Sequence, residues 1–262
     1  MNRRALVAGL LSTLAAIVVN PVFAADDALA KIMERKVIRV AVPNDYPPYG
    51  FVGADMVPKG IDIDMANVIA KKLGVKLELV PVTAPNRVAY LQSGKADLTI
   101  SSLGKTPERE KVIDYSIAYT PFYDAIFGRK DVKATTFEEL NGKTISVTRG
   151  SMQDEELQRL APGAVVQRYE DNNATLAAFL SGQTQMFATG TAVAAAVMQK
   201  NPNVSMDLKV ILANAPCYVG IPKGEKQLVD KVNQIIREAK KDGTLDQIAQ
   251  KWLGTPAGDL PE

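Results

Sequence analysis

Residues 62–82 read DIDMANVIAKKLGVKLELVPV, and this stretch decides the fold class. Over residues 62–73 the spacing predicts a helix, because Met65, Ile69 and Leu73 recur every four residues and make one apolar face. Asp62 and Asp64 sit near its positive end, Lys71 and Lys72 near its negative end, and Gly74 stops it. Residues 75–82 then alternate as a strand does. A helix handed directly to a strand is the joint from which α/β proteins are built.

The same grammar extends on both sides. Residues 36–42 (KVIRVAV) read as a buried strand, 87–92 as a short helix and 96–101 as another strand, giving β-α-β-α-β. The format returns with strands over 144–148, 164–169 and 185–188 and helices over 154–160 and 173–180. Even the helix-to-strand joints look alike: Leu91-Gln92-Ser93-Gly94 and Phe179-Leu180-Ser181-Gly182. Two runs of one format predict two α/β lobes. The tail is helical over 227–241, with Leu228, Val232, Ile235 and Ala239 on one side and Gly243 as the stop. Thr244-Leu245-Asp246-Gln247 fits a capping box that opens a last helix through Leu253, with Gly254 behind it. Trp252, the only tryptophan, reads as core packing.

Composition removes whole classes of chemistry. The 262 residues include no histidine, so there is no Ser-His-Asp triad, no Cys-His pair, no histidine zinc site and no imidazole base. Cys217 is the only cysteine, so no intrachain disulfide and no cysteine-rich zinc site can form. Catalysis would rest on Asp, Glu, Lys, Tyr, Ser or Arg. A binding function needs none of the missing groups, and no metal or cofactor is expected.

Residues 1–24 read as an export signal. Arg3 and Arg4 precede an uninterrupted small or apolar run from 5 to 19, and Val22-Phe23-Ala24 offers small residues for cleavage after Ala24. The run is shorter than the roughly 20 residues a membrane span needs. The Arg-Arg pair hints weakly at twin-arginine export, with ordinary secretion favoured. Of the 31 basic residues two lie in this segment, so the remainder balance the 29 acids and the formal charge of +2 belongs to the signal. That balance gives no case for nucleic-acid binding. The expected product is soluble and exported.

Four segments follow predicted strands, where open α/β sheets place ligands. Asn44-Asp45-Tyr46-Pro47-Pro48-Tyr49 is a stiff loop that can present a ring, or an ordinary proline-rich turn. In Ser101-Ser102-Leu103-Gly104-Lys105-Thr106-Pro107-Glu108-Arg109, Thr106 caps a helix that Pro107 starts and Arg109 stands in its first turn. A guanidinium beside hydroxyls suits a carboxylate, although the same spacing also fits a capped surface helix with a solvated Arg. Arg149-Gly150-Ser151-Met152-Gln153 opens another helix, whose backbone N–H groups can hold an anion. Ala188-Thr189-Gly190-Thr191 can line a cleft with hydroxyls or cap the next helix.

Gly60-Ile61-Asp62-Ile63-Asp64-Met65, the run from Asp97 through Arg109, and Gly150-Ser151 together resemble the bacterial extracellular solute-binding proteins for polar amino acids. The resemblance implies a two-lobed periplasmic binding protein of type II fold, α/β throughout. Each lobe would be a mixed sheet flanked by helices, and two crossing strands would join them near 121–124 and 214–219. With residues 1–24 as the signal, 25–121 and 218–262 would form lobe 1 and 122–217 lobe 2. The implied function is capture of a small carboxylate-bearing ligand, an amino acid above all, and its delivery to the membrane permease of an ABC transporter. Carried over by position, Tyr46 would stack on the ligand and Ile61 would stand where a second aromatic often does. Ser101, Ser102 and Thr189 would offer hydroxyls. Arg109 would hold the α-carboxylate, helped by Ser151 and the Met152 N–H. Cys217 would be a small buried thiol near the hinge.

The chain departs from that pattern at Ile61, at Gly104, where another hydroxyl is common, and at Gly190, where the acid for the ligand's ammonium usually falls. Asp45 or Asp171 would have to replace that acid, or the ligand lacks a conventional α-amine. Arg87 either adds a second cation to the cleft or is a solvated helix end. The competing class is a lyase or dehydratase on the same scaffold, using one cleft carboxylate of raised pKa as general acid. A receptor sensor domain is disfavoured, since no later apolar stretch is long enough to span a bilayer. Without histidine, affinity is expected to change little between about pH 6 and 8.

Overall fold

The computed structural model describes residues 27–262, so the expected export signal lies outside the described residues. The first half runs α1 (Ala28–Arg35), β1 (Val37–Val42), β2 (Asp45–Tyr46), β3 (Gly50–Val52), β4 (Pro58–Lys59), α2 (Ile61–Leu73), β5 (Lys76–Pro81), α3 (Arg87–Gln92), β6 (Leu98–Leu103), α4 (Pro107–Glu110) and β7 (Ile113–Thr120). The second half runs β8 (Tyr123–Arg129), β9 (Thr144–Thr148), α5 (Met152–Leu160), β10 (Val165–Tyr169), α6 (Asn172–Leu180), β11 (Met186–Gly190), α7 (Thr191–Lys200), β12 (Met206–Asn214), β13 (Cys217–Pro222), α8 (Lys226–Lys241) and α9 (Thr244–Leu253).

Ten of these strands form two five-stranded sheets of one design, while β2, β3 and β4 make a small antiparallel sheet of their own. The first has the order β5-β1-β6-β13-β7 and the second β10-β9-β11-β8-β12. In each, four strands run in one direction, and the fourth in the order, β13 or β8, runs antiparallel to both its neighbours. The strand between the parallel set and the edge arrives from the other sheet: β13 follows β12, and β8 follows β7. The chain thus crosses at Pro121–Phe122 and at Ala215–Pro216. The crossings are stitched together by the Ala215 N–H, which donates to the Phe122 carbonyl at 2.8 Å. Cys217 lies beyond the second crossing, paired with Thr120 in the first sheet.

Each sheet is sealed by its helices. Ile38, Val40, Met65, Ile69, Leu98, Ile100, Val219 and Ile235 form the centre of the first core. On the second sheet Ile126, Ile145, Val147 and Leu157 fill one face, while Phe127, Phe179 and Phe187 fill the other. The Phe179 and Phe187 rings stack with centroids 4.6 Å apart.

The helix that decided the fold class begins one residue early, at Ile61, and ends at Gly74 in the left-handed conformation. Gly60 before it has φ 131°, and a Cβ there would run into the backbone of Tyr49 and Pro48. Glycine is required at that joint. The capping box expected at Thr244 does not form. Thr244 is already helical behind Gly243, and Asp242 Oδ1 accepts from its N–H at 3.0 Å and its hydroxyl at 2.6 Å. Trp252 packs half-buried against the first core, donates its indole N–H to Asp64 Oδ2 at 2.7 Å, and meets Phe51 edge-on.

Candidate ligand-binding cleft

The carboxyl ends of the strands of both sheets converge on one cleft, and three sets of contacts hold its walls together. Tyr46, carried on the short strand β2, reaches across so that its Oη accepts from the Gly190 N–H at 3.0 Å and from Gln153 Nε2 at 3.4 Å. Its own proton is left for Thr189 Oγ1 at 3.1 Å. Beside it, Asp45 accepts from the Asn172 N–H and from Asn172 Nδ2, both at 2.8 Å. On the opposite side Arg109 donates to the Gly104 carbonyl at 3.0 Å, the Gly150 carbonyl at 3.1 Å and Glu155 Oε1 at 2.7 Å. The space enclosed between these contacts is about 30 Å³. A second cavity of about 230 Å³ shares Tyr46 and Asn172 with this space and is also lined by Thr189 and Val193 among others.

The floor of the cleft is the end of β6. Ser102 has φ 40°, a left-handed conformation that costs a residue other than glycine roughly 1–2 kcal/mol. Its N–H is captured by Asp62 Oδ2 at 2.8 Å, while Asp62 Oδ1 accepts from Tyr119 Oη at 2.6 Å. Asp62 is fully buried, and that burial pushes its pKa up to about 6 against the pull of those hydrogen bonds and of Arg87. Strained backbone held by a buried acid is the pattern expected where a fold fixes a site.

Two charged side chains line the enclosed space, Arg87 and Asp124. Arg87 donates Nη1 to the Ser101 carbonyl at 2.8 Å, and its Nε has no partner. Burial, with the nearby Arg109 charge, pulls its pKa down to about 10. Asp124 stands at the start of β8, 1% exposed, and neither carboxylate oxygen has a hydrogen-bond partner. The Gln153 amide is close enough to act on it but makes its hydrogen bond to Tyr46 instead. Burial pushes the Asp124 pKa up to about 7, opposed by Arg87 and Arg109.

The sequence profile of the bacterial extracellular solute-binding proteins, family 3, matches residues 38–255. This chain belongs to that family. It is 29% identical over 234 residues to the L-cystine-binding protein TcyJ of Escherichia coli (strain K12), which covers 88% of each chain. Among solved structures it is similar to an ancestral arginine-binding protein bound to arginine, at 34% identity and a TM-score of 0.80, covering 84% of this chain and 99% of that one. It is also similar to the solute receptors for L-cysteine of Neisseria gonorrhoeae, at 31% identity and a TM-score of 0.80, covering 86% and 93%. The fold is the type II periplasmic binding protein fold implied by the resemblance, with a mixed sheet in each half. By kinship this is a solute-binding protein rather than an enzyme.

Of the expected residues, Tyr46, Ser101, Ser102, Ser151 and Met152 line the enclosed space. Thr189 lines the larger neighbouring cavity and bonds Tyr46. Ser151 spends its hydroxyl oxygen capping α5, accepting from the Asp154 N–H at 3.2 Å. Ile61 lies elsewhere: 1% exposed, it belongs to the first core. Arg109 is buried at the seam, its guanidinium occupied by two carbonyls and Glu155, and does not line the space. Arg87, weighed as a solvated helix end, is the cation that does. The acids offered in place of Gly190 are both engaged, Asp45 by Asn172 and Asp171 as the cap of α6, accepting from the Ala174 N–H at 2.7 Å.

At both glycine departures from the family pattern a Cβ would be crowded in this arrangement. A Cβ on Gly104 would overlap Met152 Sδ from the facing wall, and one on Gly190 would come within 2.5 Å of Phe122 Cζ. Sequence reasoning missed Asp124, Gln153 and Phe122. A usable signal for the first is its being the lone charge in the apolar run 117–127. Burial raises the Asp124 pKa to about 7, which runs against the expectation of pH-insensitive binding.

Proposed function

We propose that this protein captures an amino acid by its carboxylate and delivers it to the membrane permease of an ABC transporter. The observation that carries this reading is the positive pole of the cleft. Arg87 faces the enclosed space with an unpartnered Nε, beside the Ser101 and Ser102 hydroxyls. Arg109 stands close enough to depress the Arg87 pKa. The Met152 N–H opens α5 from the other wall, where a helix start favours an anion. Guanidinium, hydroxyl and helix N–H donors converging in a buried space suit a carboxylate. The names of the relatives, binders of cystine, arginine and glutamine, point the same way.

An enclosed space of about 30 Å³ admits no amino acid, so binding requires the walls to part and close again. The two-residue crossings at 121–122 and 215–216 are where that bend would fall, with lobe 1 as 25–121 and 218–262 and lobe 2 as 122–217. In this reading Tyr46 lies against the ligand, and Arg109 exchanges Glu155 for the ligand's carboxylate. Export with cleavage after Ala24 would release a periplasmic monomer. A cleft acid with raised pKa is what the lyase alternative required, and Asp124 supplies one. Incubation of each binder with the protein should nonetheless return it unchanged. The deciding experiment is a thermal-shift screen of the mature protein against amino acids, opine-like compounds and dicarboxylates. A shift with amino acids supports the proposal, and shifts confined to dicarboxylates, or no shift with any compound of the panel, end it.

A further inference from the structure

Opposite charges that share a buried space usually close into an ion pair, which removes the cost of leaving either one bare. Arg87 and Asp124 do not. Arg87 turns Nη1 away to the Ser101 carbonyl and keeps Nε unpartnered, while both oxygens of Asp124 are bare. A buried acceptor without a donor costs about 1–3 kcal/mol, and more when ionised. This fold keeps that cost in the one place where a visitor can remove it.

The surroundings of Asp124 leave its carboxylate facing the space. Asp124 and Gly190 are direct partners across the antiparallel β8–β11 ladder, so their side-chain positions point to the same face. Gly190 contributes no side chain there, and the Phe122 ring occupies the room one would need. Other acids around the cleft are engaged: Asp45 with Asn172, Asp171 with the start of α6, Glu155 with Arg109, and Glu156 with Arg159. Among the described acids around the cleft, Asp124 is the one with both oxygens bare.

We infer that Asp124 receives the ligand's α-ammonium group, so that the cleft selects zwitterions over simple carboxylates. This rests on the proposed carboxylate pole, and deepens it by supplying the opposite pole from a residue at the hinge end of β8. An ammonium offers three donors and a full positive charge to two bare oxygens. Dicarboxylates would bring a second anion to Asp124 and be rejected.

The test uses the mature protein, the twenty protein L-amino acids and L-cystine, and calorimetric titration of the strongest binder. That compound and its analogue with hydrogen in place of the α-amine are titrated into wild type and Asp124→Asn at pH 8. The inference expects at least a hundredfold loss for the analogue on wild type. It expects a similar loss for the amino acid on Asp124→Asn, and little further loss when both changes are combined. The analogue comparison on wild type stands even if the variant folds poorly. Equal binding of the two compounds by wild type, or undiminished binding of the amino acid by a folded Asp124→Asn, overturns the inference and leaves the carboxylate reading intact. A panel in which no amino acid binds wild type overturns that reading, and the inference with it.

Discussion

Gly104 and Met152 fit each other across the cleft: the Met152 sulfur occupies the place where a Cβ on residue 104 would stand. The absence of a side chain on one wall is thus complementary to a flexible thioether on the other, and the closeness of the two halves depends on both. A hydroxymethyl group at 104 should keep them apart. Gly104→Ser is expected to weaken ligand binding and to raise the radius of gyration of the ligand-saturated protein in small-angle scattering. Overpacking of this kind costs about 1–3 kcal/mol. Adding Met152→Ala should restore closure, and failure of that rescue would show that the fit is incidental.

Tyr46 Oη is the point where three groups of the facing half meet. Tyr46→Phe leaves the ring and deprives the Gly190 N–H, Gln153 Nε2 and Thr189 Oγ1 of their common partner. Leaving a buried N–H unsatisfied costs about 1–3 kcal/mol, so affinity should drop roughly 5- to 150-fold. The change should be in closure, with the dissociation rate rising more than the association rate falls. Stopped-flow kinetics that place the effect in association would contradict the assignment.

Arg109 is buried at the seam with Glu155 on its Nη2. Arg109→Ala should cost about 2–5 kcal/mol of binding free energy if the guanidinium meets the ligand's carboxylate. A latch between walls would give a similar loss, so Glu155→Gln is the discriminating variant. Releasing Arg109 from its acid should leave affinity equal or higher in the first case. A clear loss of affinity in Glu155→Gln would mark Arg109 as a latch.

Asp62 and Asp124 hold their protons longer when folded than when unfolded, with pKa values raised to about 6 and about 7 by burial. The folded state therefore binds more protons than the unfolded state between roughly pH 4 and 7, and stability must fall as pH rises through that window. The melting temperature should be lower at pH 8 than at pH 5 by several degrees, and Asp124→Asn should remove part of the difference. Asp55, Glu139, Glu238 and Asp242 have lowered pKa values and act in the opposite sense, but below that window. A melting temperature that rises from pH 5 to 8 would refute the burial argument.

The same carboxylate makes binding pH-dependent. An ammonium ligand prefers ionised Asp124, so affinity should increase about tenfold from pH 6 to pH 8. Arg87 on α3 and Arg109 on α4 favour the ionised form, while Glu156 on α5 opposes it. Titrations at the two pH values that agree within twofold would show that Asp124 does not titrate in this range.

The β-α-β-α-β format was legible because apolar spacing survives in elements that pack by one face. The helix at 62–73 and the strands at 144–148 and 165–169 all follow from it. The helix α7 carries no such pattern: its run of alanines and valines is apolar on every side, so periodicity assigns it nothing. The site was legible where residue type and position coincide, as at Ser101, Ser102 and Met152. Arg87 and Arg109 both stand at helix starts, and only tertiary packing decides which one faces the space. Asp62 shows a clue that spacing does hold. It shares the stripe of Met65, Ile69 and Leu73, and an acid on an apolar stripe has a buried partner to find. The side chains that would crowd a Cβ at Gly104 and Gly190 belong to residues 48 and 68 positions away, Met152 and Phe122, beyond the reach of local pattern.

Cys217 begins β13 just past the second crossing, fully buried, and burial pushes its thiol pKa well above the ordinary value. In the folded protein it is therefore silent toward thiol reagents. A single cysteine introduced at Asn173, exposed on the rim of the larger cavity, would be the only reactive sulfur in the native molecule. An environment-sensitive dye attached there would turn closure into a fluorescence signal without any background substitution, making the protein a ready scaffold for an optical sensor of its own ligand.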